Sequence, residues 1–143
     1  MVLRDKTKVV PYMDFIEREI GFLSGYEADV DWKVYQSVRE KRLEIERWVE
    51  CLINATIDLS KMFLVIKGEG VPETSRELLF KMASFVFDKE EDGEAFSELA
   101  RIRNALAHRY LDIKWEEIKR FIQIARKLHP SFIAYLKRQI LAD

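Results

Sequence analysis

Apolar residues recur at three- and four-residue intervals through most of the chain, and no stretch sustains the alternation of a strand. The first predicted helix covers about Pro11 to Gly25. Pro11 suits a first-turn position, Phe15, Ile16, Ile20 and Leu23 keep helical spacing, Gly21 interrupts mildly, and Ser24-Gly25 ends it. Asp31 reads as the N-cap of a long helix reaching about Lys67. There Val38, Ile45, Leu52, Leu59 and Ile66 fall every seven residues. Trp48, Ala55 and Met62 lie three further on, and Tyr35, Val49 and Phe63 fill the adjacent row; Arg42 and Thr56 interrupt the stripe. At roughly 35 residues this helix would be about 50 Å long and would offer surface to a partner chain. Gly68-Glu69-Gly70-Val71-Pro72 ends it.

A third helix follows over about Thr74 to Phe87, with Leu78, Leu79, Met82, Ala83 and Val86 inward. After the charged break Asp88-Lys89-Glu90-Glu91-Asp92, a fourth begins near Gly93 and runs to about Ala107 or Tyr110. The last follows Leu111-Asp112-Ile113 and continues to about Leu141, with Pro130 expected to kink or split it near His129. The expectation is an all-α, up-and-down bundle of about five helices with one long second helix, residues 1–143 forming a single domain.

Composition narrows the picture. A chain of 143 residues can bury one core, and 48% hydrophobic with 34% charged residues is a globular mixture. Five Gly and three Pro are too few for a turn-rich β chain. No apolar run approaches the roughly 18 residues needed to span a bilayer. Met1-Val2-Leu3-Arg4-Asp5-Lys6 has no apolar stretch behind its charges, so no secretory signal is expected. Cys51 is the only cysteine, which excludes an internal disulfide and makes the reducing cytoplasm the expected compartment.

The net charge is −1, yet its distribution is uneven. Residues 1–100 carry 14 Lys and Arg against 21 Asp and Glu; residues 101–143 carry 10 against 4. The basic third is either a solvated helix face, with cations near helix ends, or an electrostatic footprint for a polyanion. It begins at the segment with the most chemistry: Leu99-Ala100-Arg101-Ile102-Arg103-Asn104-Ala105-Leu106-Ala107-His108-Arg109-Tyr110.

On a helix, Leu99, Arg103, Leu106 and Tyr110 share one face, so Arg103 lies in a row whose other members want burial. An arginine there needs an anion, a polar cleft or a partner subunit, because an unpaired buried charge is costly. His108, five residues on, lies about 140° around a straight helix from Arg103, and instead shares a face with Asn104. Arg103 and His108 converge only if the helix ends near His108 or if two chains share a cleft. Cleaving RNA without a metal needs a base for the 2′-hydroxyl, an acid for the leaving 5′-oxygen and a cation on the phosphate. Histidine suits the proton transfers and the planar fork of arginine suits the phosphate. Asn104 would orient the imidazole or hold a phosphate oxygen. The plain alternative is that Arg101, Arg103 and Arg109 complement the helix dipole and His108 is a surface or capping residue.

Arg103-Asn104-Ala105-Leu106-Ala107-His108-Arg109-Tyr110 resembles the Arg-x-x-x-x-His-x-Tyr motif of the HepT-like toxins in the HEPN superfamily. The similarity extends over roughly residues 10–140. It takes in the long second helix with Glu50 and Asp58, the Gly68 to Pro72 break, and the final helix after Leu111-Asp112-Ile113. The resemblance implies a metal-independent endoribonuclease, without cofactor, acting as a homodimer whose two motifs face one cleft. In it His108 is the acid/base, Arg103 binds the scissile phosphate, Asn104 takes the family's polar position and Arg109 adds phosphate contact. The product it implies is a 2′,3′-cyclic phosphate. The implied partners are an RNA substrate and an MntA-type nucleotidyltransferase antitoxin, which transfers AMP to the motif tyrosine, here Tyr110. The alternative reading is a non-catalytic nucleotide-binding or adaptor subunit of a nucleotidyltransferase complex.

Other residues weigh less. His129 has no second His or Cys at ligand spacing and reads as a surface or kink residue. Trp32, Trp48 and Trp115 read as core before base-stacking, and Cys51 as a buried or interface thiol. Glu50 and Asp58, eight apart, form either a solvated pair or partners for Arg103 across the bundle. No phosphate-binding glycine loop or metal-ligand cluster is present in the sequence.

Overall fold

The computed structural model describes residues 3–141, with side chains from 6 to 140. Met1 and Val2, part of the opening segment read above, lie outside the described residues. Within them the chain is all helix: α1 (Leu3–Ile20), α2 (Leu23–Asp29), α3 (Trp32–Ser37), α4 (Arg39–Ile66), α5 (Ser75–Val86), α6 (Glu90–Ala105) and α7 (Leu111–Leu141). Seven helices replace the five expected, because the first two predicted segments each divide.

α1 begins two turns before Pro11, which lies inside it. The early turns are held by tertiary contacts that no local pattern announces. Lys6 and Val9 are buried, and the Lys6 ammonium donates to the carbonyl of Ile140 at 3.3 Å, near the end of α7. Asp31 is an N-cap as expected, its carboxylate accepting from the Val34 N–H at 2.9 Å, but it caps the six-residue α3. The chain is extended at Val38 (φ −108, ψ 93) and α4 starts afresh at Arg39. The expected single helix breaks because the Arg42 guanidinium donates to the carbonyls of Tyr35 and Gln36 at 3.1 and 2.9 Å. Those carbonyls therefore do not need a further helical turn.

α4 is the central element, 28 residues and about 40 Å long. Its seven-residue rhythm holds: Ile45, Leu52 and Leu59 are fully buried, with Trp48 and Ala55 beside them. α1 and α5 pack on α4, α6 packs on α5, and α7 closes against α6 and α1. The buried side chains form one continuous core. Thr74 caps α5 by accepting from the Glu77 N–H at 3.1 Å. α6 begins at Glu90 rather than Gly93, since Glu90, Glu91 and Asp92 complement its N-terminal dipole.

A split of the last helix and a surface position for His129 are both overturned. Pro130 does not split α7, which runs unbroken for 31 residues. Pro130 and Arg126, four residues before it, are both on the exposed side, so water can serve the carbonyl that loses its helical partner. His129 is no surface residue. It is fully buried among Phe96, Phe121 and Phe132, with ring centroids 6.0, 6.3 and 6.0 Å away. It shares the inward side of α7 with Ala125, Leu128, Phe132 and Leu136. Thr56 donates to the Leu52 carbonyl (2.8 Å), so its oxygen accepts from the His129 Nε2–H (3.0 Å), which assigns the tautomer. Burial pushes the His129 pKa down to about 4, and the ring is neutral near pH 7. None of the described helices is long and apolar enough to cross a membrane.

Candidate active site at the α6–α7 loop

α6 ends without glycine or proline. Its last turn tightens, with the Ala107 N–H bonding the Asn104 carbonyl at 3.2 Å and the His108 N–H bonding that of Ala105 at 3.1 Å. Leu106 is buried and pins the end of the helix, while Ala107, His108, Arg109 and Tyr110 are all exposed. α7 then opens with the Lys114 N–H on the Tyr110 carbonyl at 3.2 Å. The helix therefore stops at Ala105, earlier than the expected Ala107 or Tyr110, and the imidazole of His108 leaves the helical register.

Arg103 stays on the last turn of α6, half-buried. Its guanidinium reaches Ser75 Oγ, at the start of α5, at 3.4 Å. That is a long, weak contact for a charged donor, and no carboxylate faces Arg103 among the described residues. Arg103 and His108 are not hydrogen-bonded to each other within the chain. Asn104 is exposed on the same turn, and Tyr110 is 66% exposed. The row of Leu99, Arg103, Leu106 and Tyr110 thus holds for its first three members only, since Tyr110 lies beyond the helix end.

The basic third is mostly neutralised. Arg101 pairs with Glu117, Arg126 with Glu27, and Lys137 with Glu17. Arg120 lies 2.7 Å from Glu98, Lys127 3.0 Å from Asp92, Lys119 3.0 Å from Glu116, and Lys114 3.4 Å from Glu46. Most of this excess is therefore matched by acids, many of them on the first hundred residues, and it is not one broad anion-binding face. Arg103, Arg109 and Arg138 are the cations of this third without a carboxylate partner among the described residues. Two of them flank His108.

The sequence did not reveal what braces the loop. Glu46 on α4 and Lys114 on α7 form a pair whose side chains are largely buried, and the phenol of the fully buried Tyr35 donates to the same carboxylate. Burial and the Glu46 charge push the Tyr35 pKa up. This network ties α3, α4 and the first turn of α7 together, one turn past Tyr110. Ser75 on the other side was also missed. Neither is signalled locally, because each depends on which helices become neighbours.

The remaining candidates fall elsewhere. Glu50 and Asp58 are exposed on α4 and pair with no arginine among the described residues. Asp58 lines a shallow groove of about 390 Å³ between α1 and α4, with Pro11, Phe15 and the half-buried Cys51. Trp48 is core, its indole N–H donating to the Glu19 carbonyl at 3.0 Å, whereas Trp32 is exposed. No three His, Cys, Asp or Glu side chains gather at metal-ligand spacing among the described residues.

Over 129 residues the chain is 22% identical to the tRNA nuclease HepT of Aphanizomenon flos-aquae (strain 2012/KM1/D3), covering 90% of this chain and 87% of that protein. The family model described as Ribonuclease HepT-like matches residues 16–138, a span holding α4 to α6, the exposed loop and nearly all of α7. By that match the chain belongs to the HepT-like ribonuclease family.

Proposed function

We propose that this protein is the toxin of a toxin–antitoxin pair and cleaves RNA at the α6–α7 loop without a metal ion. The observation carrying this reading is the half-buried Arg103 on the last turn of α6, left without a carboxylate and followed by an exposed histidine in the adjoining loop, in a region where most other cations are paired. A free guanidinium there offers two parallel donors to a phosphate. Arg103 holds the scissile phosphate and opposes the charge that grows on it, with Asn104 and Arg109 at its margin. A base removes the 2′-hydroxyl proton, the 2′-oxygen bonds to phosphorus, and the bond to the 5′-oxygen breaks as an acid protonates it. The products are a 2′,3′-cyclic phosphate and a 5′-hydroxyl.

One His108 cannot be base and acid in the same step. The second role falls to the His108 of another copy, in a homodimer with both loops on one cleft. Its relative's name makes tRNA the first substrate to try. Tyr110 would be the site where an MntA-type nucleotidyltransferase antitoxin attaches AMP. A phosphate and a purine placed there would compete with RNA for Arg103, and the exposed ring leaves room for them.

The test is cleavage of single-stranded RNA and tRNA by purified protein in EDTA, beside His108→Ala and Arg103→Ala. The wild type should cut, and both variants should be inactive yet folded. Absence of cutting, together with binding of ATP analogues, would replace this reading with the adaptor one.

A further inference from the structure

Trp32 opens α3 with 36% of its surface exposed, yet it is not a loose surface ring. Its indole lies nearly parallel to the Tyr35 ring, centroids 6.2 Å apart and planes at 24°. Trp115 is 6.2 Å from Trp32 and 5.0 Å from Tyr35. Tyr35 is fixed from beneath through its phenol on Glu46, and Glu46 is fixed by Lys114. Lys114 in turn bonds the backbone of Tyr110. An unbroken series of contacts therefore joins the motif loop to a rigidly backed, exposed indole.

The charges around Trp32 differ from those on α7. Within ten residues of Trp32 along the chain, Lys33, Arg39 and Lys41 are exposed, and none of them pairs with a carboxylate among the described residues; the exposed acids of the same stretch are Asp29, Glu40, Glu27, which pairs with Arg126, and Asp31, whose carboxylate is engaged in capping α3. Arg42 alone is turned inward, onto the carbonyls of Tyr35 and Gln36. An exposed aromatic ring with unpaired cations close to it in the chain fits single-stranded nucleic acid: every base has a π-face to stack, and the cations follow the phosphates. A purely apolar protein partner would leave those three cations desolvated without compensation.

We infer that Trp32, with Lys33, Arg39 and Lys41, is a base-stacking subsite for an unpaired nucleotide flanking the one cut at the α6–α7 loop. This rests on the ribonuclease reading above and adds to it where the substrate's neighbouring base is held. Trp32 binds and orients; it takes no part in the bond changes.

The test measures binding of a labelled single-stranded 2′-O-methyl RNA, which lacks the attacking hydroxyl and so reports affinity without turnover. Trp32→Ala should weaken binding about 5- to 100-fold, while Trp32→Phe should stay within about threefold of wild type. With unmodified RNA, Trp32→Ala should raise KM by a similar factor and leave kcat nearly unchanged. An oligonucleotide abasic at the flanking position should bind wild type and Trp32→Ala alike. Equal binding of the intact oligonucleotide by wild type and Trp32→Ala overturns the inference. So does a loss of binding that accompanies dissociation of the oligomer in sedimentation, which would make Trp32 a protein–protein contact. Failure of the ribonuclease reading looks different: wild type then binds the RNA but leaves unmodified RNA intact.

Discussion

The chain has two histidines, in opposite surroundings. His108 stands in the exposed loop after α6, with Arg103 and Arg109 near it in sequence and no side-chain partner among the described residues. His129 is sealed among three phenylalanines, its Nε2–H given to Thr56 and its Nδ1 without a partner among the described residues. One ring is open to solvent. The other is a core side chain whose proton affinity is suppressed by burial. Residue type alone does not separate a reagent from a structural group; access to solvent does. The larger hydrogen-bonded inventory belongs to the histidine with no proposed part in the chemistry.

Substitutions should pull the two apart. The largest expected effect is on turnover. His108→Ala should lower kcat about 10²- to 10⁴-fold with an unchanged melting temperature, and a variant that keeps its rate breaks the comparison at once. Next is His129→Ala, which should cost about 2–5 kcal/mol of stability by opening a cavity in the core, read by urea unfolding. The fraction still folded should cut RNA normally.

Acid should destabilise the protein through His129. Its folded pKa of about 4 lies below the unfolded value, so the unfolded chain binds more protons between the two. The contribution is complete above about pH 6.5 and is lost as pH falls toward 4, by about 3 kcal/mol in all. In Thr56→Val that pH dependence should persist, and stability at pH 7 should fall by about 1–3 kcal/mol, because the buried Nε2–H loses its acceptor. The smallest effect belongs to Arg101→Ala. It removes the pair between a half-exposed guanidinium and the largely buried Glu117 and should change stability by about 1 kcal/mol and hardly alter RNA binding, unlike Arg103→Ala.

What the sequence disclosed follows the range of the forces involved. The heptad rhythm of α4, the cap at Asp31, the start of α5 near Thr74 and the end of α6 near the motif are local or nearly so, and they were legible. The break at Val38 was not, since Arg42 causes it by reaching back to two carbonyls. The early turns of α1 were hidden for the same reason. His129 is a different case: its spacing from Ala125, Phe132 and Leu136 did mark the buried face, but Pro130 drew attention to a kink instead. At the site, the motif named the residues of the loop. The Ser75 contact and the Tyr35–Glu46–Lys114 brace come from helices packed against it, and no periodicity encodes them.

The bond from Lys6 to the carbonyl of Ile140 links residues 134 positions apart. On a ribosome, Ile140 is still inside the exit tunnel long after Lys6 has emerged, so this fastening forms late, after α7 is free. A nascent chain that already exposes the loop with His108 still lacks its last clasp, and the bundle reaches full order only once synthesis has passed α7.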